Sequence, residues 1–212
     1  MDNEKKSMIK DALILFAITL AAGLLLGFVY DVTKEPIAEQ KAKAKAEACK
    51  NVFAEAESFE ALAGEDGPTS YFMAAGDADL NMDIDEVMRA LDGSGQLLGY
   101  VITVTDHEGY GGDIQFSMGV TLDGTLNGIS LLSISETAGL GMKAGDVLVP
   151  QFENKQVESF TYTKSGSTND SEIDAISGAT ITTRAIVNGV NGGLQFFHAV
   201  LSESEAGGGI DE

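Results

Sequence analysis

DAISGAT, residues 174–180, stands directly before a segment whose composition predicts a helix, Ile181 to about Leu201. The first amides of a helix have no intrahelical partner and lie at the positive end of the helix dipole, so a small glycine-containing turn at this place suits a phosphate. The alternative is a plain helix cap, in which Ser177 or Thr180 accepts hydrogen bonds from first-turn amides and does nothing else. The stretch therefore predicts an anion site or a structural cap.

Strand and turn patterns precede this stretch. Two pairs of apolar segments each flank a turn rich in Asp and Gly, which is typical of β-hairpins. Runs of strands followed by a long terminal helix predict an α+β domain with a mainly antiparallel sheet and flanking helices. The hairpin segments are Glu86–Leu91 with Gln96–Thr105 and Asp113–Leu122 with Leu126–Ser133; Val157–Thr163 is a further candidate strand, and Ser58–Asp83 is interpreted as a loop with short elements.

A charge-free stretch of 19 residues, Ala12–Tyr30, nearly spans the hydrocarbon core of a bilayer at about 1.5 Å per residue. It predicts an uncleaved membrane anchor; the alternatives are a signal peptide, although no small-x-small cleavage pattern follows, and a buried core helix. Thr33-Lys34-Glu35-Pro36 resembles a helix start with proline in the first turn, which predicts a separate juxtamembrane helix. The predicted boundaries are a tail at 1–11, the transmembrane helix at 12–30, the juxtamembrane helix at 31–56, one domain at 57–202 and a flexible acidic tail at 203–212.

The charge of the chain is concentrated in its C-terminal three quarters. The net charge is −20; residues 1–50 hold eight Lys and seven Asp or Glu, whereas residues 51–212 hold five Lys or Arg and 26 Asp or Glu. So acidic a body repels nucleic-acid phosphates, which argues against a nucleic-acid partner. A single cysteine, Cys49, and two histidines cannot build a disulfide, a zinc site or an iron–sulfur site, and no dinucleotide-binding fingerprint is present.

Two further glycine-rich loops could join DAISGAT in one site. In HEGYGG, residues 107–112, three glycines surround Tyr110 and allow either a close backbone approach to a ligand or a sharp turn. In SETAGLGMK, residues 135–143, the apolar Leu140 and Met142 stand beside an acid and a hydroxyl, a mixture that suits a planar aromatic ring. Each loop alone could be only a structural turn.

The Asp-x-x-Ser-Gly-Ala-Thr pattern with its hydroxyl-rich helix start resembles the flavinylation motif of the FMN-binding domain family. The chain is similar over nearly its whole length to the G subunits of Rnf-type electron transport complexes and to the related C subunits of the sodium-translocating NADH:quinone reductase. The shared features are one N-terminal anchor, a juxtamembrane helix, Gly-Tyr-Gly-Gly, Glu-Thr-x-Gly-Leu-Gly and the attachment motif, in that order. One departure is Ala138, where the family pattern has proline.

The resemblance implies that FMN is joined to Thr180 by a phosphoester bond. It also implies that a separate flavin transferase forms this bond from FAD with Mg²⁺ and recognises Asp174, while the chain itself carries no catalytic residue and no metal site. Thr182, Thr183 or Arg184 could add donors to the phosphate. The expected FMN contacts are Ser177, Gly178, Ala179, Ile181, Thr182, Glu136, Thr137, Gly139, Leu140, Gly141, Met142, Tyr110 and Gly111.

The implied function is that of a membrane-anchored flavoprotein subunit carrying electrons within a ferredoxin:NAD oxidoreductase complex coupled to ion translocation. Its partners would be the other membrane subunits, and it would cross the bacterial cell membrane once with an extracytoplasmic FMN domain. A count of lysines flanking the anchor favours the opposite orientation, but long domains translocate largely regardless of charge. The alternatives are a stand-alone anchored FMN carrier and an acidic binding module without a cofactor.

Overall fold

The computed structural model describes residues 2–62 and 81–202 of the chain. The chain divides between Ala44 and Lys45 into two compact units. The loop predicted at Ser58–Asp83 lies mostly outside the described residues, as does the acidic tail predicted at 203–212.

Helix α1, Asp2–Val52, is continuous and contains Pro36. The prediction of a separate helix that begins at Thr33 is therefore wrong. Proline removes a single helical hydrogen bond, and the Ala- and Lys-rich residues after it favour helix strongly enough to continue the element. Within residues 2–62 and 81–202, α1 is the one helix long and apolar enough to cross a membrane, which fits a single-pass anchor.

The second unit contains a five-stranded antiparallel sheet in the order β1-β2-β3-β4-β5. Both predicted hairpins are confirmed, since β2 pairs with β3 and β4 pairs with β5. Strand β2 begins four residues earlier than predicted, and β1 lies in a stretch interpreted as loop. The bounds are β1 Ser58–Ala61, β2 Met82–Leu91, β3 Leu97–Asp106, β4 Ile114–Thr121 and β5 Leu126–Ser133.

One face of the sheet packs against the last helix, α3, Thr180–Phe196, which ends in a π-helical turn at Phe197–Leu201. Two glycines of α3 allow this close packing: a Cβ on Gly189 would lie 3.0 Å from the Phe116 ring, and one on Gly193 would lie 2.2 Å from Met118 Sδ. The predicted helix to Leu201 is confirmed.

The other face of the sheet is covered by the end of α1. Cys49, Val52 and Phe53 are buried there in a second apolar cluster with Ala90 and Val101. Cys49 is thus a core residue of this cluster, and burial raises the pKa of its thiol.

Short elements connect β5 to α3. Helix α2, Ala144–Val147, lies between two 3-10 turns, Gly141–Lys143 and Val149–Phe152. The candidate strand Val157–Thr163 exists only as β6, Thr161–Thr163, which pairs in parallel with β7, Glu172–Asp174. Since β7 ends at Asp174, DAISGAT is the link from this small sheet into α3.

Candidate functional site

The three glycine-containing loops meet in one cleft of about 480 Å³. This volume lies within the range of about 300–1,000 Å³ that is usual for small-molecule sites. All ten lining residues belong to the fourteen residues expected to hold or contact the cofactor. They are Tyr110, Glu136, Thr137, Leu140, Gly141, Gly178, Ala179, Thr180, Ile181 and Thr182.

The start of α3 forms one wall of the cleft. Ala179 is the N-cap, and no side chain caps the helix, so the capping role considered for Ser177 or Thr180 is not found. Within the described residues, no hydrogen-bond acceptor is found for the amides of the first three helical residues, 180–182. These amides and the helix dipole make this wall suited to an anion.

The turn before α3 is held by a threonine further along the chain. The Thr183 hydroxyl donates to the carbonyl of Ala179 at 3.0 Å and accepts the N–H of Ile176 at 3.1 Å. Thr183 is fully buried, so it shapes the turn and does not face the cleft. No local sequence pattern indicated this role, because the contact depends on the conformation of the turn.

Three threonines near the helix start have different exposure. Thr180 is partly exposed and lines the cleft, while Thr182 is 1% exposed and Thr183 is 0% exposed. Thr180 is therefore the most exposed of the three residues. Arg184, considered as a phosphate donor, is not among the lining residues; its Nε lies 3.8 Å from Glu108 Oε2.

The glycine loop at residues 107–112 places Tyr110 at the cleft mouth with 69% of its surface exposed. Gly111 is not a lining residue, but its N–H donates to Glu136 Oε1 at 3.2 Å. A Cβ on Gly111 would lie 2.0 Å from the carbonyl oxygen of Ser135, so only glycine permits this contact between the two loops.

The loop at residues 135–143 supplies the opposite wall. The Thr137 carbonyl accepts the N–H groups of Leu140 at 3.1 Å and Met142 at 3.2 Å, which folds the loop into a compact turn. Leu140 faces the cleft and packs near Gly178, whereas Gly139 and Met142 lie outside the lining. Of the two apolar side chains in this loop, Leu140 therefore offers its surface to the cleft, and Met142 does not line it.

Asp174 and Ser177 also lie outside the lining. The Asp174 carboxylate accepts two hydrogen bonds from Ser167, from its N–H at 2.5 Å and from its side-chain hydroxyl at 3.4 Å. The backbone of Asp174 is held on both sides by the Gln151 amide, at 2.7 and 3.2 Å. Asp174 therefore orders the segment that leads into the cleft wall, through a long-range partner that no local sequence pattern indicated.

Two titrating groups lie at the base of the glycine loop. Asp106, at the end of β3, is 1% exposed, and burial raises the pKa of its carboxyl to about 6 even though it accepts the N–H of Glu108. His107 contacts Asp113 at 2.9 Å and Asp83 at 3.1 Å, and these hydrogen bonds raise the pKa of the imidazole. No group of acidic, cysteine or histidine side chains in the described part of the chain is arranged to hold a metal ion.

Comparison with known proteins gives two matching family models. The model of the RnfG N-terminal region matches residues 1–52, and that of the FMN-binding domain matches residues 109–195. The G subunit of the Na(+)-translocating ferredoxin:NAD(+) oxidoreductase complex of Acetobacterium woodii is 31% identical over 197 residues, which cover 91% of this chain and 92% of that protein.

More distant proteins also match. The G subunit of the ion-translocating oxidoreductase complex of Methanosarcina acetivorans is 28% identical, with 93% of this chain and 98% of that protein covered. The crystal structure of Shewanella oneidensis NqrC aligns with 17% identity and a TM-score of 0.48, covering 73% of this chain and 74% of that chain.

Proposed function

This chain belongs to the family of G subunits of ion-translocating oxidoreductase complexes, and we propose that it is the membrane-anchored subunit that carries electrons through a covalently attached FMN. The observation that carries the proposal is the cleft at the start of α3. There the partly exposed Thr180 stands beside helix amides that have no acceptor within the described residues.

The cleft matches the chemistry of FMN in two respects. The amides of residues 180–182 suit a phosphate, and Leu140, Ile181 and Tyr110 offer apolar surface to a planar ring. Bound FMN would supply reversible uptake of electrons, while these residues supply its position and electrostatic surroundings. Gly111, Gly139, Met142 and Ser177 flank the lining, and we place their contacts with FMN at the rim.

Thr180 is the proposed attachment residue. Its Oγ forms a phosphoester with the FMN phosphorus of FAD, the pyrophosphate bond of FAD breaks, AMP leaves and the hydroxyl proton is released. A separate flavin transferase with Mg²⁺ carries out this transfer, and afterwards the Thr180 oxygen is only a tether. The greater exposure of Thr180 compared with Thr182 and Thr183 supports this choice.

Asp174 is proposed to contribute to transferase recognition. Its bonds to Ser167 and Gln151 hold the segment before the turn in one conformation. A transferase that binds this segment would meet Thr180 in a defined place, six residues further along the chain.

The proposed setting is a bacterial cell membrane, crossed once by residues 12–30, with the FMN domain at 57–202 on the extracytoplasmic side. A covalent bond keeps a small cofactor from being lost there. The other membrane subunits of the complex are the proposed electron partners, because two relatives are named as subunits of ferredoxin:NAD(+) oxidoreductases that translocate ions.

Expression of the full chain together with a flavin transferase tests the attachment. Under denaturing conditions the wild-type band should show flavin fluorescence, Thr180→Ala should be dark, and Thr180→Ser should remain fluorescent because it keeps the hydroxyl. A dark wild-type band beside a working control substrate would contradict the proposal and favour a binding module without a cofactor. Co-purification with polytopic membrane subunits would distinguish a complex subunit from a stand-alone carrier.

A further inference from the structure

Glu136 lines the cleft, bonds to the glycine loop and lies near the start of α3. Its Oε1 accepts the N–H of Gly111 in the glycine loop at 3.2 Å. A Cβ added to Gly141 would lie 2.9 Å from Glu136 Oε2 and 2.7 Å from Glu136 Cβ. The same added atom would lie 2.6 Å from Oγ1 of Thr182 in α3. Gly141 therefore leaves space in which Glu136 and Thr182 approach each other.

The hydrogen bond to Gly111 does not require a charge. The side-chain oxygen of a neutral glutamine could accept the same N–H, with the same number of side-chain atoms. A carboxylate at this place adds a negative charge to the wall of a cleft inside an already acidic domain. Its charge must therefore act on whatever occupies the cleft, in addition to any effect on the loop.

We propose that Glu136 has two separable effects: it positions the glycine loop that carries Tyr110, and its charge lowers the midpoint potential of the bound FMN. This inference rests on the proposed function. Each electron that the bound group accepts from the preceding carrier adds negative charge unless a proton follows it. A half-buried carboxylate in the same cleft opposes that addition, and solvent screens it less than it screens an exposed acid.

Two substitutions separate the two effects in the full-length, flavin-bearing protein. Glu136→Gln keeps the oxygen that accepts the Gly111 N–H and removes the charge. Glu136→Leu removes both the acceptor and the charge with a side chain of similar size. The matched control is Glu153→Gln, which removes an exposed carboxylate that does not line the cleft. The measurements are a spectroelectrochemical titration of the attached flavin and hydrogen exchange of the amides of residues 109–112.

We expect the midpoint potential to rise in both Glu136 variants and to stay at the wild-type value in Glu153→Gln. Hydrogen exchange of residues 109–112 should become faster in Glu136→Leu alone. A wild-type midpoint potential in Glu136→Gln would overturn the electrostatic effect. Equally fast hydrogen exchange of residues 109–112 in the Gln and Leu variants would show that loop positioning and charge cannot be separated. If the wild-type chain carries no covalent flavin, the proposed function itself is contradicted. The gel assay detects this case before any titration is made.

Discussion

Small differences in surroundings give neighbouring residues of the cleft wall different properties. Thr180 and Thr183 lie within one turn of α3, yet the hydroxyl of Thr183 is fixed by Ala179 and Ile176 while Thr180 is partly exposed and lines the cleft. A buried hydroxyl with both partners satisfied is held in place, since breaking it would leave the N–H of Ile176 without an acceptor. Accessibility at this scale therefore favours Thr180 as the proposed attachment residue.

Gly141 is expected to be essential to the shape of the cleft. In Gly141→Ala the new Cβ would lie 2.6 Å from Thr182 Oγ1 and 2.7 Å from Glu136 Cβ, so both walls must move. We expect a loss of about 1–3 kcal/mol in the free energy of unfolding, measured in urea, together with a weaker fluorescent band in the attachment assay. The control is Gly145→Ala, where the nearest atom is Leu131 Cδ1 at 3.9 Å; an equal loss in both variants would contradict the steric explanation.

Asp106 is expected to make stability depend on pH. Its folded pKa of about 6 lies above the ordinary value of 3.8, so the folded state binds more protons between these values. The free energy of unfolding then falls as pH rises through this window, and the penalty is complete above it. Asp106→Asn, which can still accept the Glu108 N–H, should be more stable than wild type by about 1–3 kcal/mol at pH 8.

The comparison needs urea unfolding of both proteins at pH 8 and at a pH well below 3.8, where the carboxyl is protonated in both the folded and the unfolded state and the difference should shrink. Glu158→Gln, at an exposed acid, is the control and should show no such trend. A constant difference between wild type and Asp106→Asn at all pH values would show that burial of the charge is not its cause.

Among the elements, those with short-range signals were predictable from the sequence. Both hairpins follow from Asp- and Gly-containing turns, and the ten lining residues lie in three continuous motifs or in the two residues directly after the third. Pro36 misled the prediction because a proline in a helix start and one inside a long helix look alike locally. Strand β1 and the contacts of Gln151 depend on residues distant in the chain, so no local pattern indicated them. The contacts of Thr183 reach only four and seven residues back, but they depend on the conformation of the turn.

The junction between the end of α1 and the sheet depends on Gly119 in β4. A Cβ there would lie 2.8 Å from both the Cβ and the carbonyl oxygen of Val52. Gly119→Ala should therefore lower the free energy of unfolding by about 1–3 kcal/mol. Val52→Ala keeps those two atoms but removes Cγ2, which would lie 3.0 Å from the new Cβ, so adding it should recover part of this loss in a double-mutant cycle measured in urea. Strictly additive effects would show that the two residues are not coupled.

At the scale of the whole molecule, the apolar segment and the acidic domain have opposite demands on their surroundings. The charge-free residues of α1 are exposed and require an apolar medium, while residues 51–212 carry five basic against 26 acidic side chains and favour water. A single membrane crossing satisfies both demands within one chain.

Removal of residues 2–31 should convert a membrane protein into a soluble one. We expect the full chain to stay in the membrane pellet after carbonate washing and the shortened chain to appear in the supernatant. The shortened chain should still become fluorescent in the attachment assay, because every residue lining the cleft lies between 110 and 182. Retention of the shortened chain in the washed pellet would contradict an anchor confined to the first helix.

That confinement of the cleft to residues 110–182 has a consequence for how such proteins can diversify. A site whose lining residues and supporting sheet all lie after the membrane segment can be inherited, duplicated or transplanted together with its domain as a block. The segment that fixes the protein to its membrane is then an exchangeable part. Recombination could pair the same flavin carrier with a different anchor, or with a different redox domain, in a single event.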